Sequence, residues 1–563
     1  MHPSTAKRSP FTTTTDAGGG STVALAAAAG IAFLVSLLVR IDALGTLGYF
    51  QESWPKRIAA FWSALVAGRF AATYQSPHPG VMLMWVLGAV RTLVARSIGL
   101  RDAVVELWWL ELAQVLWVSA LMAAIVIVLR QTLVAYGMDA RRALCLGLLP
   151  VLWVTLDPMF LTLTQVLSLD GPLAAQLVLA ILIFLWARRS SSSLGHACAG
   201  AATALAVLTK TPGLIVAATM AIWIFLGGSR AAGEIGVARA LVRPAQAFAA
   251  AFVVVFVLAW PAMWVAPART LQRLVMTDQE AAQIRSGDLR SLLSAGNVAG
   301  RDALLDVVLH PHTVGDTRLI YGRTHSAWEY YAVVIFFKMP PLTLLTLICF
   351  LAIVVAPSRR RGDPALRLAF HVLIFALVYL VVMTIAAKKT WRYMVTCTVL
   401  LELVAGLAFA WICEQAWRRR ARLAVVALAA VAIAQLAAIV AHRPHYIVFS
   451  NPLGGGRSGA ERYLNLYWGE GTGEAARYLR ERAAGRPIRF FTAVPLVARD
   501  LKHGLPEARR ERDPEHAEFV IVTRREMLAP SHGSVAERYA QTRAPEHVVT
   551  IGAEPYLWIY RVE

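Results

Sequence analysis

The sequence predicts an all-α polytopic membrane protein of about eleven transmembrane helices, followed by a small C-terminal α/β domain. Three observations predict it. Of the 563 residues, 57% are hydrophobic and only 16% charged, with a mean hydropathy of +0.55, whereas in a soluble chain roughly a quarter of the residues are charged. Apolar runs recur from residue 22 to residue 441, many of them long enough to cross a bilayer. Beyond residue 441 they stop, and short β-rich stretches take over. A set of ordinary globular domains is excluded, and so is a disordered scaffold, which requires low hydrophobicity.

Residues 1–21 are polar and rich in Thr, Ser and Gly, and read as a disordered cytoplasmic tail. The run from Thr22 to Val39 is long for a signal-peptide core and reads as an uncleaved first helix. The spans are 22–40, 107–129, 143–157, 171–187, 194–209, 212–228, 245–266, 330–356, 368–387, 393–414 and 423–441. A twelfth apolar stretch, 79–98, carries Arg91 and Arg96. If it does not cross and the N-terminus is inside, the short cytoplasmic loops hold sixteen cations and the short outer loops four. If it crosses, the count reverses, so 79–98 is assigned to a helix lying at the outer interface. The stretch 53–68 reads as a second interfacial helix.

The protein is therefore expected to be a multi-pass protein of the plasma membrane, with a cytoplasmic N-terminus and a transmembrane domain at 22–441. Its long outer segments are 41–106, 267–329 and the extracytoplasmic domain 442–563. That domain is expected to hold a helix at Gly473–Arg482, β-rich runs at 487–494, 517–523 and 547–562, and a hairpin turning through Gly552 to Pro555.

Lys plus Arg exceed Asp plus Glu by 55 to 35, which could suggest nucleic acid. The arginines instead cluster between apolar runs, as at Arg188-Arg189, Arg359-Arg360-Arg361 and Arg418-Arg419-Arg420. Such placement suits cytoplasmic helix flanks facing anionic lipid, so the bilayer is the partner and nucleic acid is not. The five cysteines lie inside apolar spans and read as small core residues. His310, His312, His325 and Glu329 match no strong metal-site spacing. A divalent metal stays open, and no other cofactor is indicated.

The polar exceptions carry the functional signal. Lys388, Lys389, Arg392 and Tyr393 open the tenth span on the outer side, Lys210 sits at the outer turn of the fifth and sixth, and Lys338 near the outer end of the eighth. Ammonium groups there either snorkel to lipid phosphates or build a phosphate-binding site at the membrane surface. Acids near the same boundary include Asp42, Glu52, Asp157 and Asp170. Glu52 and Asp170 either cap helices or serve a site in which a carboxylate acts as base beside an anion. Asp157-Pro158 reads as a helix end, and His78-Pro79-Gly80 as a turn or a substrate contact.

These residues form an ordered set. Gln51-Glu52, Leu65 to Gly68, His78-Pro79-Gly80 to Trp85, Asp157 to Asp170 and Leu208 to Pro212 come first. Trp260 to Trp264, Lys338 to Leu342, Lys388 to Tyr393 and the Asn451 to Gly455 and Trp468 to Gly471 stretches follow. The chain thereby resembles the GT-C superfamily of integral-membrane glycosyltransferases, in the branch of protein O-mannosyltransferases and the aminoarabinose transferases of lipid A. The resemblance covers nearly the whole chain. It implies a GT-C-like fold and an inverting hexosyltransferase that moves a mannose-like sugar from a polyprenyl-phosphate donor to a hydroxyl of a protein, glycolipid or polysaccharide.

On that resemblance Glu52 is the expected base, Asp170 orients the acceptor or a metal, and Lys388, Lys389, Arg392 and Lys210 neutralise the departing phosphate. His78, Lys338 and Tyr393 complete the expected substrate contacts. The family has Asp-Glu where this chain has Gln51-Glu52, and an amide cannot act as a base. Glu52 takes over, or Asp42 moves in, or the chain is an inactive assembly subunit. A flippase for the lipid-linked sugar is the alternative from another class, and would need broken helices and polar residues deep in the bilayer.

Overall fold

The computed structural model describes residues 18–46, 48, 53–99, 103–235, 242–275, 328–355, 362–386, 389–464, 466–528 and 534–562. Helix α1 spans Gly18–Leu38, so the expected tail overlaps its first turn. Then come α2 (Ser53–Val66), α3 (Val81–Ile98), α4 (Ala103–Ala135), α5 (Ala140–Thr155), α6 (Pro158–Gln165), α7 (Asp170–Ser190), α8 (Ser193–Thr209), α9 (Gly213–Ile235) and α10 (Arg243–Ala259). Two short helices, α11 (Ala262–Val265) and α12 (Pro267–Val275), precede α13 (Tyr330–Lys338), α14 (Pro341–Val355), α15 (Pro364–Ile385) and α16 (Val395–Ala441).

All eleven expected spans are helical. Six helices among the described residues are long and apolar enough to cross a membrane, and two bent pairs bring the number to eight. The remaining three expected spans are the shorter apolar helices Ser193–Thr209, Gly213–Leu226 and Arg243–Ala259.

The span 330–356, read as straight, is broken, and 143–157 ends at Asp157-Pro158 as expected but is followed by a further short helix at an angle. The pair α5–α6 bends by 69° and α13–α14 by 115°. Pro158 and Pro340-Pro341 stand at the two breaks, and proline removes a backbone donor and clashes with the preceding turn. Asp157 does end α5, and it also begins α6, its Oδ1 accepting the Phe160 N–H at 2.7 Å.

The reverse holds at the last two spans, where α16 runs helically through the expected loop at 415–422. Near its start, Thr398 donates to Met159 Sδ. Near its end, Ile439 shares a small cluster with Leu161 and Tyr446. A straight helix would separate Thr398 from Ile439 by about 60 Å, so α16 doubles back. The reversal falls between the span-capable stretches Trp391–Arg419 and Arg422–Ala441.

The central helices are α7 and the first half of α16, whereas α1 and the last half of α16 are peripheral. One large core joins α4, α5, α7, α15 and α16, and a second joins α2 and α3 to α8 and α10. At one end of α7 lies Asp170. At the other, about 30 Å away, the expected cytoplasmic loops meet: Arg142 bonds Asp363 and Glu414, and Arg367 donates to the Tyr136 carbonyl.

The C-terminal part contains α17 (Gly456–Glu461), α18 (Thr472–Ala483), β1 (Arg489–Phe491), α19 (Pro495–Gly504), β2 (Arg509–Arg510), β3 (Phe519–Thr523), α20 (Arg524–Leu528), α21 (Val535–Thr542), β4 (His547–Ile551) and β5 (Glu554–Arg561). The sheet order is β2-β1-β3-β5-β4. Strand β1 is parallel to β2 and β3, while β5 is antiparallel to β3 and β4, closing the expected hairpin. Side chains of α18 and α19 pack on one face, and those of α21 on the other.

Candidate active site

The first turn of α7 begins at Asp170, whose N–H donates to Ser168 Oγ. The Asp170 carboxylate does not cap the helix. It accepts Lys210 Nζ at 2.6 Å in an ion pair whose side chains are 8% and 5% exposed. Lys210 ends α8, and Thr209 beside it donates to Gln176 of α7, locking the two helices in register. The close approach on the other side needs a glycine: a Cβ at Gly171 would lie 2.1 Å from the Leu163 carbonyl oxygen of α6.

The segment before α3 closes on the same turn. Gly80 N–H donates to the Thr209 carbonyl, and Thr211 Oγ1 lies 3.4 Å from His78 Nδ1. Gly80 has a φ of +60°, and a Cβ there would run into Trp54 of α2. Thus α2, the His78 segment, α7 and α8 converge around Asp170 and Lys210.

From Lys210 a ladder of cations and rings runs toward the C-terminal part. Lys210 Nζ stands 4.2 Å from the centre of the Tyr393 ring, and the Arg392 guanidinium lies over both Tyr393 and Trp468. Trp468 packs edge-on against Trp391, and Trp391 faces Lys338 Nζ. Such contacts contribute about 0.5–2 kcal/mol each, more where water is excluded. Lys338 itself is turned inward and donates to the carbonyls of Ile447 and Phe449, while Asn451 donates to those of Phe336 and Phe337. These bonds tie the break between α13 and α14 to the chain leaving α16.

Among the expected site residues, Asp170, Lys210, His78, Arg392 and Tyr393 are brought together. Lys389 joins them through the loop but spends its ammonium on the Ala386 carbonyl at the end of α15, and burial lowers its pKa. Asp42 goes elsewhere, into an ion pair with Arg443 and a hydrogen bond from Tyr446. Glu52 and Lys388 lie outside the described residues, as do His310, His312 and His325. Among the described residues no three His, Cys, Asp or Glu side chains gather as metal ligands. The snorkelling reading fails for Lys210, Lys338 and Lys389, all of which are buried in protein.

Trp468 and Gln176 contribute to the site without a signal in the sequence, while Glu402 and Arg40 are polar residues held in the core beyond it. Trp468 lies in the tail stretch Trp468 to Gly471, and nothing in the sequence around it marks it as a partner of Arg392. Gln176 and Glu402 look like isolated polar residues in apolar spans. Arg40 did give a signal, as a cation at the outer end of the first span. It is fully buried, donating to Thr164 and Ser36.

No family model matches the chain, and no curated protein matches it in sequence. Solved structures are similar at low identity. ArnT from Cupriavidus metallidurans in the apo state is 16% identical over 97% of this chain and 98% of its own, with a TM-score of 0.46. The same protein bound to undecaprenyl phosphate gives 15%, 96%, 98% and 0.40. The apo oligosaccharyltransferase of Archaeoglobus fulgidus is 12% identical over 89% of this chain and 70% of its own, with a TM-score of 0.43.

Proposed function

We propose that this protein is an inverting glycosyltransferase that moves a hexose from a polyprenyl-phosphate carrier to an acceptor hydroxyl at the outer membrane boundary. One observation carries the reading. A carboxylate and two cations, Asp170, Lys210 and Arg392, converge with Tyr393 and Trp468 at the end of the bundle that the cation count assigns to the outside. Cations are scarce on that side unless they have work there.

In this reading Lys210 and Arg392 receive the donor phosphate, and the rings of Tyr393 and Trp468 supply stacking surface. The acceptor oxygen attacks C1 as its proton passes to a carboxylate. The bond from C1 to the phosphate oxygen breaks, and the electron pair leaves with the polyprenyl phosphate. Phosphate is a competent leaving group, so no second acid is required, unlike glycoside hydrolysis. Glu52 is assigned as the base. Trp54, two positions later in the chain, would meet Gly80 and so belongs to the neighbourhood of Asp170. Asp170 orients the acceptor and holds Lys210 in place, and the growing charge on the phosphate is met by fixed cations.

The two broken spans favour a second reading, movement of the intact lipid-linked sugar across the membrane. Purified protein in liposomes, given radiolabelled polyprenyl-phosphate hexose and an envelope extract, separates the two. Transfer of label to the extract, lost in Glu52→Gln and in Asp170→Asn, supports the enzyme. Vectorial movement of intact donor without transfer supports the flippase, and neither outcome points to the inactive subunit.

A further inference from the structure

The turn that carries Trp468 is shaped by the C-terminal part but faces the candidate site. Gly469 and Gly471 take φ values of +91° and +84°, the left-handed region that favours glycine, and Glu470 between them is turned into the protein and wholly buried. Its Oε2 reaches back to accept the Trp468 N–H at 2.8 Å. Thr472 Oγ1 closes the turn by donating to the Gly469 carbonyl at 2.8 Å. The chain that follows α1 meets the same turn, because a Cβ at Gly48 would lie 2.6 Å from the Gly469 carbonyl oxygen. The turn therefore touches both the chain leading to Gln51-Glu52 and, through Trp468, Trp391 and Arg392.

A buried carboxylate needs a cation beside it. Arg457 of α17 supplies one, its Nη2 3.7 Å from Glu470 Oε1 and its side chain 5% exposed. Arg457 Nε donates to Glu461 at 2.7 Å, and Glu461 also accepts from Arg524 of α20. Arg524 in turn pairs with Glu554 and donates to the Pro555 carbonyl, both in β5. The two guanidinium groups lie over the Tyr556 ring. Alternating charges thus run from the turn through α17 and α20 to the β4–β5 hairpin.

We propose that Glu470 is a positioning residue: its carboxylate holds the Trp468 backbone so that the indole stays against Arg392, and the chain Arg457, Glu461, Arg524, Glu554 anchors that carboxylate to the C-terminal sheet. The C-terminal part is then one wall of the donor site rather than an appendage. Glu470 acts through Trp468 and touches no substrate. The donor-site half of this inference rests on the proposed transferase, whereas the positioning of Trp468 does not.

Two charge-free pairs of substitutions differ only in the acceptor they offer Trp468. Glu470→Gln with Arg457→Met keeps an amide oxygen within reach of the Trp468 N–H, and Glu470→Leu with Arg457→Met offers none. Neither strands a charge in the turn, and Glu461 keeps Arg524. Full-length protein carrying fluorinated tryptophan is placed in nanodiscs, and the Trp468 fluorine signal is assigned by its absence from Trp468→Phe. The first pair should leave that signal at its wild-type position, and the second should shift and broaden it. By isothermal titration, binding of a polyprenyl phosphate should weaken about two- to fivefold in the second pair, the worth of one cation–ring contact. It should match the wild type in the first pair. The second pair should add nothing to Trp468→Ala, because substitutions that act on one contact are not additive. A fluorine signal that is the same in both pairs, or a further loss of binding on top of Trp468→Ala, would overturn the proposal. Hydrogen exchange of the wild type needs no variant: the Trp468 amide should be protected, and fast exchange there overturns the proposal even where a pair fails to fold. A wild type that binds no polyprenyl phosphate would sink the donor-site half together with the transferase reading, while the fluorine signal still decides the positioning.

Discussion

Lys210→Met isolates the contact on which the site is built. The partners are 2.6 Å apart and almost wholly excluded from water. At an effective dielectric of about 20, two unit charges at that distance attract by about 6 kcal/mol. Part of this attraction offsets the desolvation of both groups, so the pair's net contribution is much smaller, but deleting one partner leaves a buried charge uncompensated and costs about 3–5 kcal/mol. Loss of the contact with Tyr393 adds up to about 2 kcal/mol. Lys210→Met should therefore lower the thermal midpoint far more than an ordinary surface change. Asp170→Leu combined with Lys210→Met should recover most of the loss, since neither charge is then stranded. A double-mutant cycle in detergent or nanodiscs measures this coupling. If the single variant costs less than about 1 kcal/mol, the range of exposed pairs, or if the double variant falls by the sum of the singles, the buried pair is not what the structure describes.

Gly171→Ala would drive a methyl group into the backbone of Leu163, and forcing α6 from α7 should cost about 1–3 kcal/mol, read as a lower unfolding midpoint together with reduced transfer. Trp468→Ala removes one of the two rings under Arg392; on the proposed reading it should weaken binding of a polyprenyl phosphate several-fold by isothermal titration, and it should also lower the midpoint, because the ring packs on the core beside Trp391. Burial raises the pKa of the Glu474 carboxyl, and the hydrogen bond and charge of His445 more than reverse this, leaving it below its ordinary value. A depressed acid stabilises the fold above its unfolded pKa of about 4.3 and loses that contribution as pH falls through the folded value. Acid titration of the midpoint should therefore be less steep below about pH 4 in Glu474→Gln than in the wild type.

The spans were readable because hydropathy and cation placement act locally, and each helix announces itself within about twenty residues. The break at Pro158 was readable too, as a helix end at Asp157-Pro158, whereas the one at Pro340-Pro341 was not. A proline in an apolar run either kinks a helix or ends it, and at Pro340-Pro341 the bend is held by Lys338 and Asn451, which bond across to and from the chain that leaves α16. The reversal between the last two spans was readable, but not its helical turn: the arginines at 418–420 and 422 mark a membrane boundary and carry no signal that the backbone stays helical through it. At the site, Asp170, Lys210 and Arg392 stood out because a charge near an apolar run is costly wherever it occurs. Trp468 did not, because a tryptophan beside a membrane protein's surface is ordinary, and only the fold brings it to Arg392.

The outer cations also show why the bland and the functional readings were hard to separate in the sequence. Snorkelling and ligand binding both place ammonium groups at a boundary, but they differ in what satisfies the charge. Here the buried cations have internal answers. Lys210 has a carboxylate and a ring, Lys338 two carbonyls, Lys389 one carbonyl, and Arg40 two hydroxyls and the Phe160 face. Arg392 rests on two rings, half-buried. Rings attract a cation without neutralising it, so Arg392 keeps its full charge for an anion, and Lys210 can turn from Asp170 to share it. On the proposed reading, an incoming phosphate would meet Arg392 first and then draw Lys210 from its carboxylate. Donor binding should consequently survive Asp170→Asn and fail in Arg392→Met.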